Sequence, residues 1–325
     1  MLNGARKLFV HVGPAKTGTS AIQYVLSRQD NTQLVYPKIG LWADGSHHNL
    51  VFNFFGDYRR PEVVRENATE LLARIRDDAA KAPGNVVISS ENFAGRDAGS
   101  FINALRSALG GLVDQAEIIF VCREHISLAA SLYNQSVKDF FSCERRSPNE
   151  FLRERALFMR YRPEIERLQQ TGFPVRVINY HPSDDLVLRF LRYVGFTALE
   201  GVKNEARNVS LSVKGLIGTL AVNNTAGSAE ERADGFAALR KMRKFFAPSR
   251  FIFAPQTMQV VEPLLAEDRQ YLHERFGIEL PVPASGEMED MFHLSASELQ
   301  EIEAACVPLG GQARKIIDFA ARYLR

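Results

Sequence analysis

Cysteine is scarce in this chain of 325 residues: Cys122, Cys143 and Cys306 are all it has, without metal-ligand spacing or a disulfide framework. Nor is there an excess of charge of one sign. Forty Lys and Arg against 38 Asp and Glu leave a formal net charge of +2, which argues against a broad nucleic-acid-binding surface but leaves room for a local basic pocket. No apolar run is long enough to span a bilayer. The N-terminus reaches a strand-like run within about seven residues, too few for a signal peptide. These two absences predict a cytoplasmic protein, in which the sequons at Asn67, Asn208 and Asn223 need no glycan. There is no internal repeat and no low-complexity segment. An apolar content of 46% and a charged content of 24% are ordinary for a globular chain with a sizeable core.

Four apolar, β-rich runs stand at 8–12, 86–89, 117–122 and 175–180, separated by helical patterns that include 62–82, 99–110, 126–140 and 149–171. Strands alternating with helices imply right-handed crossovers and a parallel sheet. Pro-Ser-Asp-Asp at 182–185 reads as a cap before a helix ending near Val194. After Ser210 the pattern turns helical, over 211–224, 229–246, 257–276, 296–308 and 311–324. Segment 278–292, with Pro281, Pro283, Gly286 and several acids, reads as an exposed loop. The length allows one large α/β domain or two smaller ones. The expected organisation is a single domain, with an α/β core over about residues 6–225 and a helical portion over about 226–325.

The segment Gly13-Pro-Ala-Lys-Thr-Gly-Thr-Ser20 follows the first run, Leu8-Phe9-Val10-His11-Val12, and opens a helical pattern. A strand, a tight loop of small residues and a helix start together make an anion site. Backbone N–H groups at the helix N-terminus point at the ligand, and the helix dipole adds to the attraction. The loop departs from the nucleoside-triphosphate pattern G-x-x-x-x-G-K-[ST], since Lys16 lies inside it and Thr19 occupies the lysine's usual place. Lys16 therefore reaches a bound anion from another direction. An ordinary strand-to-helix turn is the plain alternative, but a Lys between two Gly followed by Thr-Ser favours a binding loop.

Glu117-Ile118-Ile119-Phe120-Val121-Cys122 reads as a buried parallel strand, with Cys122 a small core residue. It runs into Arg123-Glu124-His125 and a helix from Ile126 to about Phe140. Arg123 stands at the strand's carboxyl end, where open α/β sheets bind ligands. Ser131 lies eight residues on, about two helical turns in, followed closely by Tyr133. A guanidinium can grip a phosphate through two parallel hydrogen bonds, and a nearby hydroxyl can supply a third. Alone, such an Arg is as often a surface ion pair; its value comes from pairing with the first loop.

Together these segments resemble the sulfotransferases that use 3′-phosphoadenosine-5′-phosphosulfate (PAPS). That family carries a PAKTGTS-like loop for the 5′-phosphosulfate, matched by Lys16, Thr17, Gly18, Thr19 and Ser20. Its R…S-x-Y strand-and-helix motif for the 3′-phosphate is matched by Arg123 and Ser131, with Tyr133 after them. The HVGPAKTGTS spelling, Ser89-Ser90-Glu91 and Asn208-Val209-Ser210 look most like bacterial, carbohydrate-type members. The resemblance covers roughly residues 6–140 and 175–225. It implies a P-loop-type three-layer fold, with a central parallel sheet flanked by helices and a largely helical C-terminal half. It also implies PAPS as cosubstrate, 3′-phosphoadenosine-5′-phosphate (PAP) as product, no required metal, and an acceptor hydroxyl on a carbohydrate or glycoconjugate. Gly13, Lys16, Thr17, Gly18, Thr19, Ser20, Arg123 and Ser131 would then hold the nucleotide.

Sulfuryl transfer builds negative charge on the departing phosphate oxygen while the acceptor loses a proton. A cation at the bridging oxygen and a base near the acceptor are the minimum equipment, and a positioned Lys can supply the first electrostatically. Lys16 is the candidate, with a ground-state phosphate clamp alone as the alternative. Glu91 follows the run Val86-Val87-Ile88-Ser89-Ser90, which puts a carboxylate at the sheet's ligand-binding edge. Partial burial is expected to raise its pKa and improve it as a base; a capping or loop carboxylate is the alternative. His47 and His48 compete for the same role, with His48 better placed ahead of Leu50-Val51-Phe52 and a surface loop as the alternative for both. His11 alternates within the first strand and reads as a core or sheet-edge residue.

Asn134, Gln135 and Lys138 share a helix with Ser131 and are candidate acceptor contacts, Lys138 reading better as a solvated charge. The pairs Phe54-Phe55, Phe140-Phe141 and Phe245-Phe246 read as core. Residues that choose the acceptor are expected in the loops around 36–60 and 92–98 and in the helical second half. Two other functions stay open. An ATP-dependent P-loop small-molecule kinase is opposed by the register of Lys16 and the want of a strand ending in a Mg²⁺-holding Asp. The other is a non-catalytic nucleotide- or glycan-binding protein. Acceptor identity and oligomeric state are not legible.

Overall fold

The structure, a computed structural model, describes residues 5–29, 33–181, 185–197, 210–247, 251–280 and 290–325. Its elements begin β1 (Lys7–His11), α1 (Thr19–Arg28), β2 (Leu34–Val35), α2 (His48–Phe55), α3 (Ala68–Ala79), β3 (Asn85–Ser89), α4 (Ala98–Leu109), β4 (Gln115–Arg123) and α5 (His125–Lys138). They continue with α6 (Pro148–Arg155), α7 (Arg162–Gln169), β5 (Val175–Tyr180), α8 (Leu186–Tyr193), α9 (Val213–Thr225) and α10 (Ala229–Leu239). The chain closes with β6 (Phe251–Ile252), α11 (Pro255–Phe276), β7 (Asp290–Met291), α12 (Ala296–Cys306) and α13 (Gly311–Ala320). Two compact units interleave along it. Residues 1–123, 161–207 and 269–280 form the first, and residues 124–160, 208–268 and 281–325 the second. The boundary thus falls between Arg123 and Glu124, and again within α11.

The first unit holds a parallel sheet in the order β2-β3-β1-β4-β5, flanked by helices. Central β1 sets Val10 opposite Ile88 of β3 and Ile118 of β4. Strands apolar on both faces can sit only inside a sheet whose faces are both covered. Leu8-Phe9-Val10, Val86-Val87-Ile88 and Ile118 to Cys122 fit, none more than 3% exposed. Helices α1 and α8 bring Ile22, Leu26, Val187, Phe190 and Leu191 into one cluster with Phe9, Val87, Ile119 and Val121. From β1 the chain runs to β2 at the sheet edge, returns to β3 beside β1, and then crosses to β4 on the other side of β1. That reversal creates a topological switch point at the carboxyl ends of β1 and β4, where open α/β sheets leave a crevice.

Several boundaries differ from the sequence pattern. The 62–82 pattern yields a helix only from Ala68, because Asn67 Oδ1 accepts the N–H groups of Thr69 (2.9 Å) and Glu70 (3.2 Å) and fixes the start there. The 149–171 pattern breaks into α6 and α7, with Pro163 in the first turn of α7. Helix α2 and the two-residue β2 were not expected. Asp185 caps α8 through Leu188 N (3.0 Å), while residues 182–184 of that segment, and 281–289 of the expected exposed loop, lie outside the described residues.

In the second unit, α9 is the central helix. Leu216, Ile217, Leu220, Ala221 and Val222 are fully buried, in a cluster with residues of α5, α10, α12 and α13. Burial all round marks a helix wrapped by others. Phe245 joins this core, but Phe140 and Phe141 are 56% and 63% exposed, so that pair is a surface feature and not core. They follow Lys138, the last residue of α5, in a turn that has left the buried face. Among the described residues no helix is long and apolar enough to cross a membrane.

Candidate functional site

Pairing between β1 and β4 continues past the end of β1. Val12 N donates to Ile119 O (3.0 Å) and Val121 N donates to Gly13 O (3.2 Å), delivering the following loop to the crevice. There Gly13 (φ 94°), Lys16 (φ 67°) and Gly18 (φ 85°) all take left-handed backbone, and Thr17 Oγ1 donates across the loop to Pro14 O (2.7 Å). A lysine in that region is uncommon and curls the chain tightly. Gly18 is the N-cap of α1 and brings no side chain to the first-turn N–H donors, whereas Glu124 caps α5 with its carboxylate on Ile126 N and Ser127 N. The φ of 85° at Gly18 favours glycine, and a Cβ there would also crowd Leu186 Cδ2 at 2.7 Å. Thr17 and Thr19 are buried, and Ser20 is half-buried.

Arg123 comes to this loop from the end of β4. Its Nη1 donates to Lys16 O (2.9 Å), and its guanidinium carbon lies 5.0 Å from the ring centre of Tyr180 on β5. Tyr161 fastens the backbone behind it, since its hydroxyl accepts from Arg123 N (2.9 Å) and donates to Arg123 O (2.6 Å). The two segments singled out in sequence, a hundred residues apart, meet through a hydrogen bond.

Glu91 comes from the other side. A Cβ on Gly13 would fall 2.8 Å from Glu91 Cβ and 2.9 Å from its Cα, so the loop lies directly on Glu91. Gln23 of α1 donates from Nε2 to Glu91 Oε2 (2.9 Å) and to Ser89 Oγ (3.2 Å). His48 Nε2 stands 3.6 Å from Glu91 Oε1, and His48 Nδ1 lies 2.8 Å from Ser90 Oγ. Burial pushes the Glu91 carboxyl up, the direction expected from sequence, but His48 and the Gln23 hydrogen bond outweigh it and hold the pKa at about 2. The expected rise is therefore corrected: an ion-pairing partner and an amide donor at a half-withdrawn carboxylate win over desolvation.

The adjacent histidines part company. His48 is the first residue of α2 and faces Glu91. His47 is spent on backbone: Nδ1 accepts Ser89 N–H (3.2 Å) and Nε2 donates to Pro37 O (2.9 Å). Burial drives its pKa down to about 3. His11 is fully buried with Nδ1 at 2.8 Å from Ser89 Oγ, as a core position requires, and burial lowers it to about 4 against the pull of Glu91. Neither His47 nor His48 is in an ordinary surface loop; both are buried.

Residues 55–59 and 94–96 border an open groove of about 680 Å³ at the far end of α2. They lie within the two loops expected to choose an acceptor. In the second unit, Ser131 is half-buried on α5. Tyr133 is core, donating to Arg146 O (3.0 Å). Asn134 gives both ends of its amide to the backbone of Leu211, Nδ2 to the carbonyl (3.0 Å) and Oδ1 from the amide (3.2 Å), a clamp rather than a ligand contact. Lys138 is half-buried, and burial lowers its pKa. Asn208 and Val209 lie outside the described residues.

The first unit thus gathers Lys16, Thr17, Gly18, Thr19, Ser20, Arg123, Glu91 and His48 around one sheet edge. Sequence reading missed Gln23 and Ser90. Gln23 had a signal: it falls on the buried stripe Thr19-Ile22-Gln23-Leu26 of α1, where an amide needs a partner. Ser90 had none beyond its place beside Glu91. Compared with known proteins, the chain matches no family model and no curated protein.

Proposed function

We propose that this chain is a PAPS-dependent sulfotransferase acting on a hydroxyl of a carbohydrate or glycoconjugate, built on a P-loop-type fold. The observation that carries the reading is the hydrogen bond from Arg123 Nη1 to Lys16 O at 2.9 Å, made where Gly13 lies against Glu91. A guanidinium, a lysine-bearing loop at an uncapped helix start and a carboxylate–imidazole pair converge at the switch point of a parallel sheet. In this reading the helix N-terminus and the Gly13–Ser20 loop bind the 5′-phosphosulfate, and Arg123 binds the 3′-phosphate.

The acceptor oxygen attacks sulfur, the bond from sulfur to the bridging phosphate oxygen breaks, and PAP leaves. Lys16 offsets the charge growing on that oxygen. The acceptor's proton goes to the pair formed by His48 and Glu91. Glu91 Oε2 already accepts from Gln23 Nε2, which favours His48 Nε2, 3.6 Å from Glu91 Oε1, as the receiving atom. Nδ1 then keeps its proton towards Ser90 Oγ, and ionised Glu91 stabilises the imidazolium that forms.

Calorimetric titration with PAP, and separately with ATP and Mg²⁺, tests the cofactor class. Metal-independent PAP binding, weakened in Arg123→Ala and retained in Lys16→Met while turnover falls at least about 100-fold, is the expected result. Preference for ATP with Mg²⁺ would make the chain a kinase. PAP binding without transfer to any acceptor would make it a non-catalytic binder.

A further inference from the structure

The groove at the far end of α2 contains two guanidinium groups around one carboxylate. Asp57 accepts from Arg59 Nε (2.9 Å, Oδ1) and Nη2 (2.7 Å, Oδ2), and from Arg96 Nη2 (2.5 Å, Oδ2). Two positive charges against one negative leave the trio with a net charge of +1.

Arg96 is the unusual member. Its side chain is only 17% exposed, with its guanidinium carbon 5.1 Å from the ring centre of Phe52 and 5.4 Å from that of Phe55. A guanidinium carries five N–H donors, and none of the Arg96 nitrogens is among the buried atoms left without a partner, so its unused donors open on the groove. Among the described residues Arg96 gives one of its five to protein, the bond to Asp57. Arg59 uses the Nε/Nη2 edge on Asp57 and keeps its Nη1/Nη2 edge for a second planar acceptor. Forked donors of this kind match an oxyanion with two or three equivalent oxygens. Gly56 and Gly95, where an added Cβ would meet no atom within 4 Å, leave the mouth of the groove unobstructed.

Distance adds a second constraint. His48 opens α2 and Phe55 closes it, seven residues on, or roughly 10 Å along the axis. A molecule that reaches the His48–Glu91 pair and the groove together is longer than a single sugar ring.

We infer that this groove is an anion subsite for the acceptor: it holds a carboxylate or sulfate ester on a saccharide unit remote from the hydroxyl that reacts. The inference rests on the sulfotransferase reading for the word acceptor, though not for the anion site itself. The acceptor is then an acidic oligosaccharide. Arg96 and Arg59 bind its charge, and the aromatic rings of Phe55 and Tyr58 border the same groove.

Purified protein saturated with PAP is tested against an array of short oligosaccharides bearing uronate carboxylates, bearing sulfate esters, or neutral because their carboxylates have been reduced. Acidic members should bind and neutral ones should not, with acidic monosaccharides weaker than their oligomers. Whether carboxylate or sulfate members bind identifies the source of the charge. Arg59→Ala and Arg96→Gln should each weaken binding about 10- to 100-fold, the scale of a charged hydrogen bond. Arg59, whose side chain is 82% exposed, carries the test if replacing Arg96 unsettles Phe52 and Phe55. Equal binding of neutral and acidic members, no binding of any member, or unchanged binding in Arg59→Ala would overturn the inference. A parallel PAP titration separates the two readings. PAP bound with no acidic glycan defeats the groove alone, and acidic glycan bound by a protein that shows no affinity for PAP defeats the sulfotransferase.

Discussion

Acidifying the solution should destabilise the first unit well before its carboxylates titrate. His11 and His47 are buried and neutral, with folded pKa values of about 4 and about 3. In the unfolded chain both return to about 6.5. Below that value the unfolded chain takes up two protons that the folded chain refuses, so stability falls as pH drops. Between about pH 7.5 and about pH 5, each histidine contributes a loss of about 2 kcal/mol, and the pair about 4 kcal/mol. Because pH 5 lies above both folded values, the loss depends mainly on how far the pH has fallen below the unfolded pKa. Glu91 acts in a lower window: its depressed pKa gives stability that is present above about 4.5 and lost as pH falls towards about 2. Urea unfolding at a series of pH values measures this, followed by the fluorescence of Trp42, the single tryptophan, which stacks on Phe52 in the same unit. His47→Gln should lower stability at pH 7.5 and remove about half of the acid-induced loss. A loss below about 1 kcal/mol, or an undiminished loss when both histidines are replaced, would refute the reasoning.

Two further outcomes follow from backbone geometry. Gly13→Ala places a methyl 2.8 Å from Glu91 Cβ at a φ of 94°. Left-handed strain and overpacking together should cost about 3 kcal/mol, read as a lower urea midpoint with unchanged slope. In the second unit, Asn134→Leu leaves the buried amide and carbonyl of Leu211 without their partner, at a cost of about 3 kcal/mol in thermal or urea unfolding.

Much of the first unit was legible because its signals are local. Runs such as Glu117–Cys122 are apolar on both faces, and that pattern belongs to a central parallel strand wherever it occurs. The Gly13–Ser20 loop could be recognised because left-handed backbone and an uncapped helix start demand small residues at set positions. What misled was context. Isolated burial raises a carboxyl's pKa, and the sequence could not show His48 and Gln23 beside Glu91 to reverse it. His47 and His48 are neighbours of the same type, yet one helix start turns His48 towards Glu91 and leaves His47 between two backbone segments.

By itself the sequence determined the alternation of strand and helix, the tight glycine-bearing loop between the first strand and the first helix, and the place of Arg123 at a strand end. Each depends on residues close together in the chain, where backbone sterics and hydrophobic periodicity act. Tertiary structure alone decided that Arg123 meets Lys16, that Glu91 backs Gly13, and that Arg59 and Arg96 share Asp57 in one groove. Those encounters depend on strand order and crossover, which set distances between residues far apart in sequence and so cannot be read from local spacing.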